Sequence, residues 1–139
     1  MQKQFQNDFI KFQTKIAQFR KNTNFDARLV EYEELMNQMM SVSPDDMREF
    51  AERSPVFLDA RNRSLAAMER ILQIHQELDA IFKMDENALA AHCSYDLSSV
   101  DAHIGKSVQE SAALLKSFEH YSEIGREALE ALNKPFFPR

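Results

Sequence analysis

Phe5, Phe9, Phe12, Ile16 and Phe19 recur at intervals of four, three, four and three residues, with lysines and glutamines between them. That spacing holds apolar side chains on one face of a helix and predicts a first helix over about 2–22. The turn Asn22 to Phe25 should end it, because its Thr and two Asn compete for backbone hydrogen bonds outside helices. A second helix follows over about 26–41. In "SVSPDD", residues 41–46, Ser43 stands as N-cap, Pro44 at the first helical position and Asp46 at the third. The missing N–H of proline costs nothing there, so a short helix over about 44–53 is expected. "SPVF" at 54–57 repeats the start signal. From Pro55, the apolar positions Leu58, Leu65, Met68, Ile71, Leu72, Leu78, Ile81, Phe82 and Leu89 stay in helical phase to about Cys93.

"CSYDLSSVD" is the last internal punctuation, with Ser98 placed to cap and Asp101 near the positive end of the next helix dipole. A final helix is expected over about 99–133. Its stripe runs Ile104, Val108, Ser111, Leu115, Phe118, Ser122, Gly125, Leu129 and Leu132, and its small members let a neighbouring helix come close. Two helices of about 35 to 39 residues, some 50 to 60 Å long, joined by a turn of about five residues, make an antiparallel hairpin. The prediction is an all-α, four-helix-type bundle, one domain over 1–139, with 134–139 an extended tail. The N-terminal helices are shorter than the hairpin they cover, which leaves apolar stripe for a second chain or a partner protein.

Composition agrees with this reading. Two glycines and four prolines in 139 residues leave a chain of good helix formers, without the alternating β-branched runs of a strand. One cysteine, Cys93, excludes an internal disulfide, and no apolar run has the length of a signal peptide or a membrane span, so a cytoplasmic setting is expected. The Asn62-Arg63-Ser64 sequon means nothing in a cytoplasmic helix. Charge is uneven. Residues 1–21 carry Lys3, Lys11, Lys15, Arg20 and Lys21 against Asp8, a net +4, so at −5 overall the remainder carries −9. An acidic body argues against nucleic acid, which needs clustered Lys and Arg.

The Phe stripe must be covered, since each such side chain is worth about 1.5 to 3 kcal/mol when buried. It is too short for an isolated coiled coil, which favours docking on the hairpin, with Phe9, Phe12 and Ile16 as anchors and Phe5 and Phe19 at its ends. Lys11 and Lys15 flank it, positioned to meet an acidic spine of Glu119, Glu123, Glu127 and Glu130 on the last helix.

Four histidines occur: His75, His92, His103 and His120. A hairpin turning near 95 and 96 brings His92 and His103 together with Cys93, Asp96 and Asp101, ligand types zinc accepts, but the spacing matches no zinc motif and no metal is expected. "AHIGKS" at 102–107 resembles the phosphoacceptor stretch of histidine phosphotransfer domains, four-helix bundles with an exposed His followed by Lys, Gly and Ser. In that family the glycine follows the lysine, leaving room for the receiver domain, whereas Gly105 here precedes Lys106. The resemblance implies a phosphoacceptor at His103. No phosphate loop, nucleophile elbow or apolar carboxylate pair is present, so no enzyme and no cofactor are expected.

Met36, Met39, Met40 and Met47 span the break before Pro44, and flexible thioethers suit both gap-filling and adaptable binding. "NKPFFPR" closes the chain with Phe136 and Phe137 between two prolines, an aromatic tail able to dock in cis or in trans. The reading is a non-enzymatic protein-interaction module of adaptor, chaperone-like or inhibitor type, self-associating or in a hetero-complex. Its alternatives are a membrane or lipid-inclusion binder acting through helix 2–22 and the phosphotransfer-like bundle.

Overall fold

Caps and prolines divide the chain much as their chemistry requires. The computed structural model describes residues 2–136, and the side chains of 3–131. Among the described residues there are six α-helices and no strand: α1 (Gln2–Thr23), α2 (Phe25–Met40), α3 (Pro44–Arg53), α4 (Pro55–Phe82), α5 (Glu86–Cys93) and α6 (Leu97–Phe136). Ser43 and Ser54 each stand before a proline, and their hydroxyls accept from the backbone N–H of Asp46 and Phe57, both at 3.1 Å. Asn24 breaks α1 from α2 in the left-handed region at φ 53°, a conformation asparagine tolerates better than most residues.

The structure is an all-α bundle built on a hairpin, with α4 and α6 forming its most extensive helix pair. Their register is antiparallel. Arg70 binds Glu110 at 3.0 Å, the hydroxyls of Ser64 and Ser122 lie 3.4 Å apart, and a Cβ on Gly125 would sit 3.7 Å from that of Ala60. The small residues at 122 and 125 thus mark a close helix approach, as their size predicts.

The expected helix over 55–93 is two helices. α4 ends at Phe82, and Asp85 starts α5 by accepting from the Ala88 N–H at 2.8 Å. Apolar phase concealed the break, because Phe82 and Leu89 are seven residues apart and remain on one face across it. Aspartate as N-cap was the available signal. At the following turn, Ser94 and Tyr95 take φ 52° and 65°, and Asp96 rather than Ser98 caps α6, accepting from the Ser98 N–H at 3.1 Å. The cap sits two residues earlier because the turn closes within residues 94–96. At its far end α6 continues to Phe136, beyond the expected stop at 133. Proline forfeits its i−4 hydrogen bond but keeps a helical φ, and α6 runs only one residue past Pro135. An extended tail over 134–139 is therefore corrected for residues 134–136, and Phe137 with the remainder lies outside the described residues.

Phe5, Phe9, Phe12 and Ile16 are buried with Ile81, Leu89, Ala90, Cys93 and Val100, so α1 closes over the hairpin tip. Phe19, half-buried, belongs to a second cluster around Phe25, Ile74 and Leu78 and meets Phe82 edge-on at 5.8 Å. This placement separates α1 from the acidic spine. Lys15 instead binds Asp101 at 3.1 Å, near the start of α6. Glu123 and Glu130 are paired with Arg126 of their own helix, because they lie toward the opposite end of the hairpin from α1.

Candidate functional site

The tightly packed core does not extend to the end of the bundle remote from α1. No residue of α3 is buried, and α6 beyond Ser107 buries only Gly125 among its described side chains. Toward its start, α4 buries Ala60, Ser64 and Ala67, all small. Their size brings the two helix backbones together and leaves larger neighbours, Leu58, Leu65, Phe118 and Leu129, half-covered on the flanks. α2 and α3 lie along α4. Eleven residues of α6 follow Gly125, whereas only five of α4 precede Ala60, so α6 runs past the start of its partner helix.

The methionines sit at this end. Met36, Met39 and Met47 are half-buried, and Met40 is 64% exposed. Val42 and Val56 add exposed aliphatic surface, the latter at 58%. The backbone beneath is held in place. Arg61 Nη2 donates to the Met39 carbonyl at 2.7 Å, Ser41 Oγ donates to the Gln38 carbonyl at 2.7 Å, and Phe50 packs edge-on against Phe57 at 5.1 Å. Bonding the last α2 carbonyls fixes the turn while its thioethers keep their rotamer freedom. The α6 backbone brings Phe136 beyond the first residue of α4; Phe137 lies outside the described residues.

The other chemical candidates lie elsewhere. His92 is exposed, whereas Cys93 faces the α1 cluster, so the two neighbours on α5 point to different environments. Among the described residues no group of three or more His, Cys, Asp or Glu is placed to hold a metal ion. His103 and Lys106 are exposed on the early turns of α6, with open space around Gly105.

A second feature was not legible as a site from sequence. Where α1, α2, α4 and α6 meet, the His75 ring stacks on Phe25 at 5.2 Å and receives Tyr32 edge-on at 4.9 Å. Its Nδ1 lies 3.0 Å from the Ile71 carbonyl, which can only accept, so Nδ1 carries the proton. Burial is the main cause holding this imidazole below its ordinary pKa; the Ile71 bond opposes that, and the nearby Arg28 charge adds to it. The available signal was register: His75 falls four residues after Ile71 and three before Leu78, on the buried face of α4. Phe25, expected in a turn, is the first residue of α2 and is almost wholly buried.

No helix among the described residues is long and apolar enough to cross a membrane. Comparison with protein-family models, curated proteins and solved structures found no match.

Proposed function

We propose that this chain is a non-enzymatic protein-interaction module, adaptor-like, chaperone-like or inhibitory, that self-associates or enters a hetero-complex through the Met-rich end of its bundle. One observation carries the reading. The α1 end buries a continuous aromatic core, while the opposite end leaves Met40, Val42 and Val56 exposed and the flanks of the α4/α6 pair half-covered. Apolar area left in water is recovered by association at about 25 cal/mol per Å² before the costs of binding. The acidic remainder of the chain speaks for a protein rather than a nucleic-acid partner. A lone cysteine turned into the core fits a reducing, cytoplasmic compartment. The membrane alternative would require α1 to leave the bundle with Phe5, Phe9, Phe12 and Ile16, forfeiting the burial that closes the hairpin tip.

The test is light scattering at micromolar concentration on the full chain and on a Met40→Glu, Val56→Glu double variant, with affinity capture from the native cytoplasm in parallel. Both positions are exposed, so the variant should fold. Association, or a captured partner, that the double variant loses supports the proposal. A monomer whose captured proteins do not change between the two forms would sink it.

A further inference from the structure

Between the end of α1, the start of α2 and the middle stretches of α4 and α6 lies a cavity of about 170 Å³. Its walls include Phe19, Phe25, Leu78 and Leu115. An apolar cavity of about 150 Å³ accommodates benzene, so this one has room for a single six-membered ring. Two polar groups in its lining bear on what it can hold. His75 has committed Nδ1 as a donor to Ile71, which leaves Nε2 as an acceptor, and no described residue donates to it. Arg28 stands apart from the other described arginines, each of which bonds a carboxylate or, for Arg61, the Met39 carbonyl; it has no such partner among the described residues.

The charge of the lining selects the ligand. No acidic residue is among the described residues that line the cavity, although the chain as a whole carries −5. The local field comes from one guanidinium at the rim. A guanidinium next to an aromatic-walled space matches a planar anion, since its N–H fork fits a carboxylate in two-point geometry. The half-buried Phe19 and Tyr32 rings in its lining offer faces and edges of the kind on which another ring packs.

We infer that this cavity binds a single-ring aromatic carboxylate, with the ring among Phe19, Val108 and Leu115 and the carboxylate taken by Arg28. A hydroxyl on the ring donates to Nε2 of His75. This site lies in the aromatic half of the bundle and does not depend on the partner-binding proposal for the Met-rich end.

Calorimetric titration of the full chain with 4-hydroxybenzoate, benzoate and benzyl alcohol tests it. The expected order of affinity is hydroxybenzoate, then benzoate, then the neutral alcohol. Arg28→Gln should weaken benzoate about tenfold, the value of one charge-assisted contact, and leave benzyl alcohol within about twofold. Arg28 is exposed and makes no bond that folding needs, so the variant should melt with the parent. Ala112→Phe, from an exposed position in the lining, should fill the space and abolish all three. The inference is overturned by no binding at about 10 mM benzoate, by equal affinity for benzoate and benzyl alcohol, by benzoate binding indifferent to Arg28→Gln, or by binding that survives Ala112→Phe.

Discussion

Truncating Phe12 tests whether the aromatic stripe of α1 holds the fold together. Phe12 is 6% exposed and shares a cluster with Phe9, Ile16, Ile81 and Leu89. Removing a buried phenyl ring costs about 3 to 5 kcal/mol, a lost transfer term plus a term for the cavity left behind. Geometry places Phe12→Ala at the lower end. The side chain lines two surface clefts of about 310 and 190 Å³, one with Lys15, Leu97 and Asp101 and one with Phe82 and Met84. Truncation next to these open clefts lets water into the vacated space, so the cavity term shrinks while the transfer term remains. A loss of about 3 kcal/mol follows, and with an unfolding entropy of about 2.1 cal/mol/K per residue it lowers Tm by about 10 °C. Ile10 on the same helix is 61% exposed, and Ile10→Ala should change stability by less than about 0.5 kcal/mol. Urea denaturation followed by circular dichroism measures both. Equal small losses in the two variants, or a Phe12→Ala form that melts normally but no longer holds a partner or vesicles, would refute the core assignment and make α1 the gripping surface.

Gly125→Ala should raise stability by about 0.5 to 1 kcal/mol, since the new methyl meets Ala60 at an ordinary 3.7 Å while the helix sheds its glycine penalty; a fall in Tm would show that the α4/α6 approach tolerates no added atom. Asp85→Ala should cost about 1 kcal/mol through the lost bond to the Ala88 N–H, and amide exchange in α5 should rise more than in α4. His75 is held below its ordinary value of 6.5 chiefly by burial, so the unfolded chain takes a proton that the folded chain refuses. Its stability is therefore full above pH 6.5 and falls as pH drops from there toward the folded pKa, with a slope of at most about 1.4 kcal/mol per pH unit. His75→Phe should flatten that part of the stability profile, and an unchanged slope would place the proton uptake at another group.

Sequence was informative wherever a local bond decides the outcome. The Ser43 and Ser54 caps with their following prolines were readable because donor, acceptor and ring lie within three residues of one another. The stripe from Phe5 to Ile16 was readable because 3.6-residue periodicity reports which face is apolar. Periodicity does not report which element meets that face. Hence the face that Lys15 flanks does not identify its partner, which is Asp101 rather than the glutamate spine. The break after Phe82 escaped because a seven-residue step keeps phase whether or not the helix is continuous, and only the capping character of Asp85 distinguished the two. At the Met-rich end, residue type marked Met36, Met39, Met40 and Met47, but Met40 is more exposed than Met36 and Met39 of the same helix because of how α2 is rotated on α4, a tertiary quantity. The His75 cavity needed four helices to converge, and no window of sequence contains them.

The two ends of the bundle differ because their helix contacts are made of different residues. Around the hairpin tip, phenylalanines of α1 fill the core with Ile81, Leu89 and Val100. Farther along, Ala60, Ser64, Ala67 and Gly125 bring α4 and α6 nearly backbone to backbone. A pair of helices in close contact has almost no interior, so its larger apolar residues can only occupy the flanks. α2 and α3 lie against α4, and Leu58, Leu65, Phe118 and Leu129 remain half-covered. Protein from a second chain need only lie against the flanks as they stand, and the exposed thioether of Met40 is suited to adjust to its contours.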